Sequence, residues 1–375
     1  MSERGLPNHG ASRVRSDAPR ARTTAADTLS DVLKVVRITG SVFYNVTARA
    51  PWVVEQPSPE ALLPLIFPSA DHVIAYHVVT EGRCFANVTG DDAPIELRAG
   101  QIIVFTRADR HSMSSDPGMR GEPVPGDALA GALTAQLPFF AKVGNEGPVT
   151  ARLISGFLAY ASSPFIPLLD NLPSMLIADF SREGDMPWLG ELIGLSMREA
   201  TNKRAGSESV LGRLTELIFI ELVRQYFDRL SPKHDGWLAG LKDPYVGKAL
   251  SLMHGCPGCE WGLEKLAREV GSSRSEFAER FASLVGYPPM QYLAKWRMQV
   301  ASGLLNDNVK IATVAGKVGY GSEASFSRAF KKIVGVSPSI WRNRRDEGRA
   351  AVESFPEQYS QSNGDTESGG ARLTA

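Results

Sequence analysis

Short apolar stretches with alternating polar positions mark the first third of the chain. Turn residues separate them, at Glu81 and Gly82, at 90–92, and at Ala99 and Gly100. Strands of this length, spaced about ten residues apart, predict an antiparallel β-barrel or sandwich. The stretches lie between residues 29 and 117, at 40–46, 75–79, 84–88, 95–97 and 101–105.

A helical pattern follows from about residue 150 to 231. On its strongest segment apolar side chains recur three to four residues apart, at Val210, Leu214, Leu217 and Leu222. We expect this helical extension to cover the barrel or to pair with its copy in a second subunit. Residues 232–243 contain Pro, Gly and mixed charge without a period, which predicts a linker to a second helical block.

Two segments of the second block repeat one construction about forty-eight residues apart. An apolar helix face is followed by a turn at Gly271 or Gly319, where glycine adopts a positive φ without cost. A serine then caps a helix with two phenylalanines: Ser272 or Ser273 in the first segment and Ser322 in the second. These are the parts of a helix-turn-helix. The apolar positions are Leu263, Leu266, Val270, Phe277 and Phe281, and then Ile311, Val314, Ala315, Val318, Phe326 and Phe330.

A long helix is predicted between the two units. Pro288 and Pro289 begin it, and Leu293, Trp296 and Leu304 recur on one face. A rigid helix of about sixteen residues spans roughly 24 Å. It would hold two recognition helices about one DNA turn apart, so that both enter successive major grooves on one face of the duplex.

Charge is unevenly distributed, although the whole chain has a net charge of zero. Residues 235–345 carry 16 Lys and Arg against 9 Asp and Glu, while residues 1–234 and 346–375 are acidic. This asymmetry favours a nucleic-acid partner for the basic segment alone. An apolar content of 43% and a charged content of 22% are typical of a globular protein rather than a coiled coil or a disordered chain.

The second block closely resembles the AraC family of transcription regulators over about residues 244–345. The strings that carry the resemblance are WRM at 296–298, VGYGSEASFSRAFK at 318–331 and GVSP at 335–338. The segment from Leu29 to about Ser207 is similar to the cupin-like sensor domain of one branch of that family, at GSV 40–42, APW 50–52 and RAGQ 98–101.

The resemblance implies an α+β fold: an N-terminal cupin-like antiparallel β-barrel with a helical extension, and a C-terminal all-α domain with two helix-turn-helix units. We expect a mobile arm at 1–28, a sensor and dimerisation domain at 29–231, a linker at 232–243, a DNA-binding domain at 244–345 and a mobile tail at 346–375. It further implies a regulator that is not an enzyme and needs no cofactor. Its expected partners are double-stranded DNA, a second copy of the chain, the transcription machinery and a small-molecule effector.

The outward positions of the two recognition helices are the expected DNA contacts. Arg328 is the strongest candidate, because a guanidinium binds guanine through two hydrogen bonds; neutralisation of a phosphate is the alternative. For each phosphate candidate the alternative is a solvated helix face. Base-facing positions are Ser275, Ala278, Glu279, Glu323, Ala324, Ser327 and Arg328, and phosphate candidates are Arg274, Arg280, Ser322, Lys331, Lys332, Arg342, Arg344 and Arg345.

The barrel lacks the ligand set of metal-binding cupins, which use a His-x-His pair, a following Glu and a later His. Ala75 stands where the first His is required, and Glu81 falls in a predicted hairpin turn that aims its carboxylate outward. We therefore predict no metal site and no catalytic residues. The barrel interior is instead an expected effector pocket or a packed core. Candidate lining residues are His77, Phe85, Phe105 and His111.

Two alternatives remain open at this point. One is a metal-dependent cupin enzyme with an accessory helical domain. The other is a redox-sensing regulator that uses Cys256 and Cys259, although incidental loop cysteines explain that pair as well.

The cysteine content and the N-terminal residues favour the cytoplasm. Three cysteines are too few for a disulfide framework. We expect neither a membrane span nor a signal peptide, because the chain has no run of eighteen apolar residues and its first twenty-eight residues have no apolar core. The sequence does not identify the effector, the operator or the direction of regulation.

Overall fold

The computed structural model describes residues 25–35, 38–67, 70, 72–88, 93–107, 109–124, 139–144, 147–160, 163–181, 186–202, 204–231 and 236–343. The predicted tail, the predicted turn at 90–92, and Arg344 and Arg345 lie outside these residues, as does the predicted arm up to residue 24. Residues 25–28 of that arm are helical and begin the first helix.

The described residues form nine strands: β1 Ile38–Arg49, β2 Val53–Glu55, β3 His72–Val88, β4 Ile95–Arg98, β5 Gln101–Phe105, β6 His111–Ser114, β7 Phe139–Val143, β8 Val149–Tyr160 and β9 Met175–Asp179. They make one curled sheet in the order β2-β6-β3-β8-β1-β7, with β4 and β5 also paired to β3, and β9 to β5. The pairings are antiparallel except for β1 with β7, which run parallel. The predicted cupin-like fold is confirmed.

The long strand β3 separates two cores, because successive side chains of a strand point to opposite faces. Ala75 and Val79 belong to the core inside the barrel, whereas Ile74, Tyr76 and Val78 belong to the core on the outer face. The predicted hairpin turn at Glu81 and Gly82 is wrong. Gly82 has a φ of 74° inside a continuous strand, and a Cβ there would lie 2.0 Å from the carbonyl oxygen of Thr150.

The helical pattern predicted from residue 150 is wrong for two segments of its first thirty residues. Residues Val149–Tyr160 and Met175–Asp179 are strands β8 and β9. Strand β8 is buried on both faces along most of its length, so its apolar residues run on without the alternation that marks a half-exposed strand. The helical extension proper consists of two helices, Pro187–Asn202 and Ser207–Arg229.

Most helices cover the outer face of the sheet or form the C-terminal part of the described chain, whereas the helix Pro59–Ile66 packs against the barrel core. The helices are α1 Ala25–Val35, α2 Pro59–Ile66, α3 Pro167–Asn171, α4 Pro187–Asn202, α5 Ser207–Arg229, α6 Trp237–Lys242, α7 Val246–Gly255, α8 Leu263–Val270, α9 Arg274–Val285, α10 Pro289–Asn306, α11 Ile311–Lys317 and α12 Glu323–Val334. No helix among the described residues is long and apolar enough to cross a lipid bilayer.

The predicted linker at 232–243 is corrected by helix α6, which occupies residues 237–242. Trp237 is fully buried there, and its Nε1 donates a hydrogen bond of 2.9 Å to the hydroxyl of Tyr292. Trp237, Leu238 and Leu241 bury an apolar face on the first helix-turn-helix unit. The helix is too short for its period to be visible in the sequence.

One continuous hydrophobic core joins the sensor domain to the first helix-turn-helix unit. It contains Leu29 and Val32 of α1, the outer face of the sheet, Phe165 next to α3, and the buried side of α7 to α9. The second unit has a separate core around Val314, Phe326 and Phe330. The first unit is therefore packed against the sensor domain, and the second packs mainly on itself.

Candidate nucleic-acid interface and sensor cavity

The first helix-turn-helix unit consists of α8, a turn at Gly271 and α9. Gly271 has a φ of 84°, and Ser273 caps α9 by accepting a hydrogen bond of 3.3 Å from the backbone N–H of Glu276. Phe277 and Phe281 are fully buried and hold α9 against the rest of the unit. Of the predicted base-facing residues, Ser275 and Glu279 are exposed and Ala278 is half-buried.

The second unit repeats this construction with α11, a turn at Gly319 and α12. Gly319 has a φ of 83°, and Ser322 caps α12 by accepting a hydrogen bond of 3.2 Å from the backbone N–H of Ser325. Phe326 and Phe330 are buried, which turns the opposite side of α12 to solvent. Glu323, Ala324 and Arg328 are exposed there, and Ser327 is half-buried.

The predicted phosphate contacts differ in how far they are already paired. Arg280 binds Asp243 through Nε and Nη2 at 2.8 and 2.6 Å, and Arg274 lies 3.3 Å from Glu264. Lys331 and Lys332 are exposed in the last turn of α12. Arg342 is half-buried beyond the end of α12, and Ser322 is occupied as the cap. Among the described residues, Lys331 and Lys332 form no ion pair. An anionic partner can therefore bind them without breaking one.

Helix α10 connects the two units as predicted, over 18 residues. Its buried face contacts both cores: Tyr292, Leu293 and Trp296 pack into the first, and Met298 and Leu305 into the second. A helix of this length spans roughly 27 Å. Because it is fixed in both cores, the separation of α9 and α12 is set by one continuous element.

Cys256 and Cys259 form a disulfide in the loop between α7 and α8. Arg297 on α10 holds this loop by donating hydrogen bonds of 2.7 Å to the Pro257 carbonyl and 2.9 Å to the Cys259 carbonyl. Gly258 lies against the end of α11, where a Cβ would stand 2.5 Å from the carbonyl oxygen of Lys317. The loop therefore contacts the first unit, the connecting helix and the turn of the second unit.

Inside the barrel, His77 and His111 are brought together. Their Nε2 atoms are 2.9 Å apart, and His111 Nδ1 lies 2.7 Å from the carbonyl oxygen of Asp109. Burial lowers the pKa of His77 well below its usual range, with a further contribution from His111, and burial lowers the pKa of His111 to about 4. Both rings are therefore neutral at pH 7.

The Asp109 carbonyl determines the direction of this hydrogen-bond chain. A carbonyl only accepts, so His111 Nδ1 carries the proton and His111 Nε2 must accept one from His77. His77 Nδ1 is then an acceptor, and the Ser155 hydroxyl donates to it at 2.8 Å. Every ring nitrogen of the pair is thereby used within the protein.

The same chain continues from Ser155 to the wall of a cavity. Tyr44 is hydrogen bonded to Ser155, and the Tyr44 hydroxyl accepts a hydrogen bond of 3.4 Å from Gln56 Nε2. Gln56 is buried, and its Oε1 has no hydrogen-bond partner among the described residues. The empty space in this cavity is about 440 Å³, part of it open to solvent, and its lining includes Tyr44, Val46, Trp52, Gln56, His77, Met113, Ala141 and Ser155.

The four residues predicted to line the effector pocket have different positions. His77 lines the cavity, while His111 lies behind it and stacks on Phe105 with 3.7 Å between ring centroids. Phe85 is a wrong prediction. Its neighbours Cys84 and Ala86 point into the barrel core, so Phe85 points to the opposite face and is half-buried there.

Sequence reasoning missed Tyr44, Gln56 and Ser155, which share the cavity wall with His77. Ser155 lies in β8, in the segment predicted to be helical, and Gln56 follows a strand of three residues. These residues come together only through long-range strand pairing, for which a single sequence carries no local pattern.

The described residues contain no group of three or more His, Cys, Asp or Glu side chains that could hold a metal ion. His77 and His111 direct Nε2 atoms at each other at hydrogen-bonding distance, which leaves no space between them for an ion. Glu81 is exposed and lies 2.8 Å from Arg152, so its carboxylate points away from the barrel interior as expected.

Two family models match the chain: one described as Cupin at residues 27–228, and one described as Helix-turn-helix domain at residues 266–344. A putative AraC-like transcription regulator of Streptomyces antibioticus is 31% identical over 320 residues, covering 84% of this chain and 98% of that protein. The HTH-type transcriptional regulator AlkR of Acinetobacter baylyi is 35% identical over 181 residues, covering 48% of this chain and 58% of that protein. The solved DNA-binding domain of AdpA in complex with a target DNA has 28% identity, covers 30% of this chain and 98% of that one, and gives a TM-score of 0.27.

Proposed function

Because the chain belongs to the AraC-like transcription regulators, with a cupin domain followed by a helix-turn-helix domain, we propose that it binds specific DNA sequences under the control of a small molecule held in the barrel. The relatives named above are transcription regulators rather than enzymes. One observation carries the DNA-binding half of the proposal: two units of the same construction, fixed to one connecting helix, each with an exposed face on its second helix.

In this proposal α9 and α12 enter successive major grooves on one side of the duplex. Arg328 reads guanine, because its exposed guanidinium has no acidic partner among the described side chains and presents a planar pair of donors. Ser275, Ala278, Glu279, Glu323, Ala324 and Ser327 face the bases beside it. Lys331, Lys332 and Arg342 neutralise phosphates, and Arg274, Arg280, Arg344 and Arg345 remain proposed as further phosphate contacts.

Selection of bound fragments from a sheared genomic library tests this directly. The full chain is expected to retain a small set of fragments that share a motif, and to release them as salt rises, since phosphate neutralisation releases counterions. Retention of all fragments in proportion to their length would contradict sequence-specific binding. The genes beside the retained fragments identify the regulated functions.

We further propose that the barrel cavity holds the effector, a small uncharged molecule with an apolar body and one hydrogen-bond donor. Gln56 Oε1 supports this, because a buried carbonyl oxygen without a partner lies where a bound molecule would supply one. The neutral state of His77 favours an uncharged molecule. Trp52, Val46 and Met113 provide apolar walls for its body.

A homodimer is the proposed assembly, formed through α4 and α5. These helices expose large apolar side chains to solvent, which a second copy of the chain would cover. We expect gel filtration with light scattering to give twice the chain mass, and Leu195→Lys with Leu217→Lys to give the single-chain mass. The exposed residues are Trp188, Leu195, Met197, Val210 and Leu217. A cytoplasmic location and contact with the transcription machinery belong to the same proposal, because the relatives are bacterial regulators.

The disulfide favours redox sensing as a second candidate function. Oxidation removes two protons and two electrons from the thiols of Cys256 and Cys259 as the S–S bond forms, and a peroxide that accepts them is reduced to water. The loop contacts Lys317 and the connecting helix. A change in the conformation of the loop would therefore shift the second unit. Cys84 is buried, and burial raises the pKa of its thiol to about 12, which keeps it unreactive.

DNA affinity measured in dithiothreitol and in hydrogen peroxide distinguishes this candidate. Redox sensing predicts that the wild type changes affinity by at least about 5-fold between the two conditions, a typical coupling between two sites. Cys256→Ser should be insensitive, and Cys84→Ser should behave as wild type. Equal affinity of the wild type in both conditions would leave the loop with a structural role only.

A further inference from the structure

A second cavity lies on the other side of the sheet from the barrel interior. Side chains of β1, β3, β5 and β8 form its floor, and α4 and α5 form its roof. The sheet separates the two cavities, because Tyr76 and Val78 point to this side whereas His77 points into the barrel. The empty space is about 590 Å³, part of it open to solvent.

The lining of this cavity is almost wholly apolar. Ile102, Val104, Ile154 and Leu158 contribute from the sheet, and the helices contribute Ile193, Met197, Leu211, Ile218, Phe219 and Leu222. Such a surface holds water poorly, because a confined water molecule needs two to four polar partners. An apolar molecule loses no hydrogen bonds on entering and gains the burial of its surface.

Three of the four polar side chains in the lining already bond to the protein, and the fourth, Asn45, is half-buried. The Tyr76 hydroxyl is hydrogen bonded to Thr215, whose Oγ1 donates to the Leu211 carbonyl at 2.9 Å. Ser196 Oγ donates to the Leu192 carbonyl at 2.9 Å. Burial raises the pKa of Tyr76 far above its usual range, so its hydroxyl stays neutral. No charged side chain is among the described residues that line the cavity.

We propose that this cavity binds an uncharged, predominantly hydrocarbon small molecule, at a site separate from the polar barrel cavity. The two sites differ in chemistry: the barrel site presents a partnerless amide oxygen, and the outer site is lined mostly by hydrocarbon. The inference does not depend on an effector in the barrel, and either site can be tested without the other.

Two fluorescent naphthalene probes of nearly the same shape test the chemistry of the site. N-phenyl-1-naphthylamine is uncharged, and 1-anilinonaphthalene-8-sulfonate carries a sulfonate. The full chain should bind the uncharged probe saturably, with one molecule per chain, at least about 10-fold more tightly than the sulfonate, because an unpaired charge is costly to bury. Equal affinities, or no saturable binding of the uncharged probe, would overturn the proposal.

Filling variants locate the site. Val78→Phe on the floor and Ser196→Phe on the roof each place a ring in the cavity, and each should weaken binding of the uncharged probe by at least about 10-fold. Ala141→Leu fills the barrel cavity instead and serves as the matched control, with affinity within about 2-fold of wild type. The two filling positions belong to different elements, and circular dichroism with thermal melting shows which variants fold.

If a folded Val78→Phe or Ser196→Phe protein binds the uncharged probe with wild-type affinity, the assignment of the probe to the outer cavity is overturned. Loss of binding in Ala141→Leu with retention in both filling variants would overturn it as well, since the probe would then occupy the barrel. Failure of sequence-specific DNA binding leaves these probe measurements unaffected, so the two proposals fail separately.

Discussion

Gln299, on the helix that connects the two helix-turn-helix units, is hydrogen bonded to the sensor domain beside Phe165. Its Oε1 accepts a hydrogen bond of 3.0 Å from the backbone N–H of Phe165, and its Nε2 donates one of 2.8 Å to Ser163 Oγ. Gln299 is almost fully buried, and Phe165 packs its ring edge-on against Tyr292 of the same helix. The sensor domain thus contacts the element that sets the spacing of α9 and α12.

Gln299→Ala is expected to lower the free energy of unfolding by about 1–3 kcal/mol, because the buried N–H of Phe165 loses its acceptor. Urea unfolding monitored by tryptophan fluorescence measures the change. Gln291→Ala is the matched control, an exposed glutamine on the same helix whose loss should cost less than about 0.5 kcal/mol. Equal losses in both variants would show that the contact between the domains contributes nothing.

Arg328→Ala is expected to reduce the ratio of specific to random duplex affinity by about 5- to 150-fold, the equivalent of about 1–3 kcal/mol. Fluorescence anisotropy with both duplexes gives the ratio. Lys332→Ala is the control from the same helix: it should weaken both duplexes equally and reduce the salt slope by about 1. An unchanged ratio in Arg328→Ala would assign that residue to phosphate instead.

Stability should fall between pH 6.5 and pH 4 because of the buried histidines. Burial lowers the pKa of His111 to about 4 and that of His77 well below its usual range, so below pH 6.5 the unfolded chain binds protons that the folded protein does not. For His111 alone the loss approaches about 3 kcal/mol at pH 4. Urea unfolding of His111→Gln across this range should show a shallower fall than that of the wild type, and a parallel curve would contradict the assignment.

Gln56→Leu should leave the free energy of unfolding within about 1 kcal/mol of wild type or raise it, because it removes a buried oxygen that has no partner. Gln101→Leu is the contrasting control. Gln101 accepts from the backbone N–H of Arg98 at 2.9 Å and donates to Asp179 at 3.2 Å, so its replacement should be destabilising. A large loss in Gln56→Leu would mean that its oxygen stabilises the empty protein, which would weaken its assignment as an effector contact.

The sequence predicts the helix-turn-helix units well because their signals are local. Gly271, Ser273 and Phe277 lie within seven residues, and each has the turn, cap or core position that its side chain favours. The barrel cavity is different, since Tyr44 and Ser155 lie on separate strands paired across more than a hundred residues of chain. The prediction that Phe85 lines the pocket is wrong for a related reason. The face that Phe85 occupies depends on β3 continuing through residues 81 and 82, where the sequence predicts a turn.

The outer cavity had no sequence signal of its own. In the sequence, Tyr76 and Val78 have the pattern of ordinary strand residues. They line the cavity only because α4 and α5 cross the sheet above them. The helix at the predicted linker also had no signal in the composition. Its Trp237 is buried and hydrogen bonded to Tyr292, a contact between residues far apart in the chain.

Dimethyl sulfate protection on a selected operator is the most direct test of the central claim, because it reports guanine N7 in the major groove. Two recognition helices fixed to α10 should protect two segments per chain, centred about 10 base pairs apart on one face of the duplex. Arg328→Ala should lose protection in only one of them. A single protected segment per chain, or two segments on opposite faces, would contradict binding through both units.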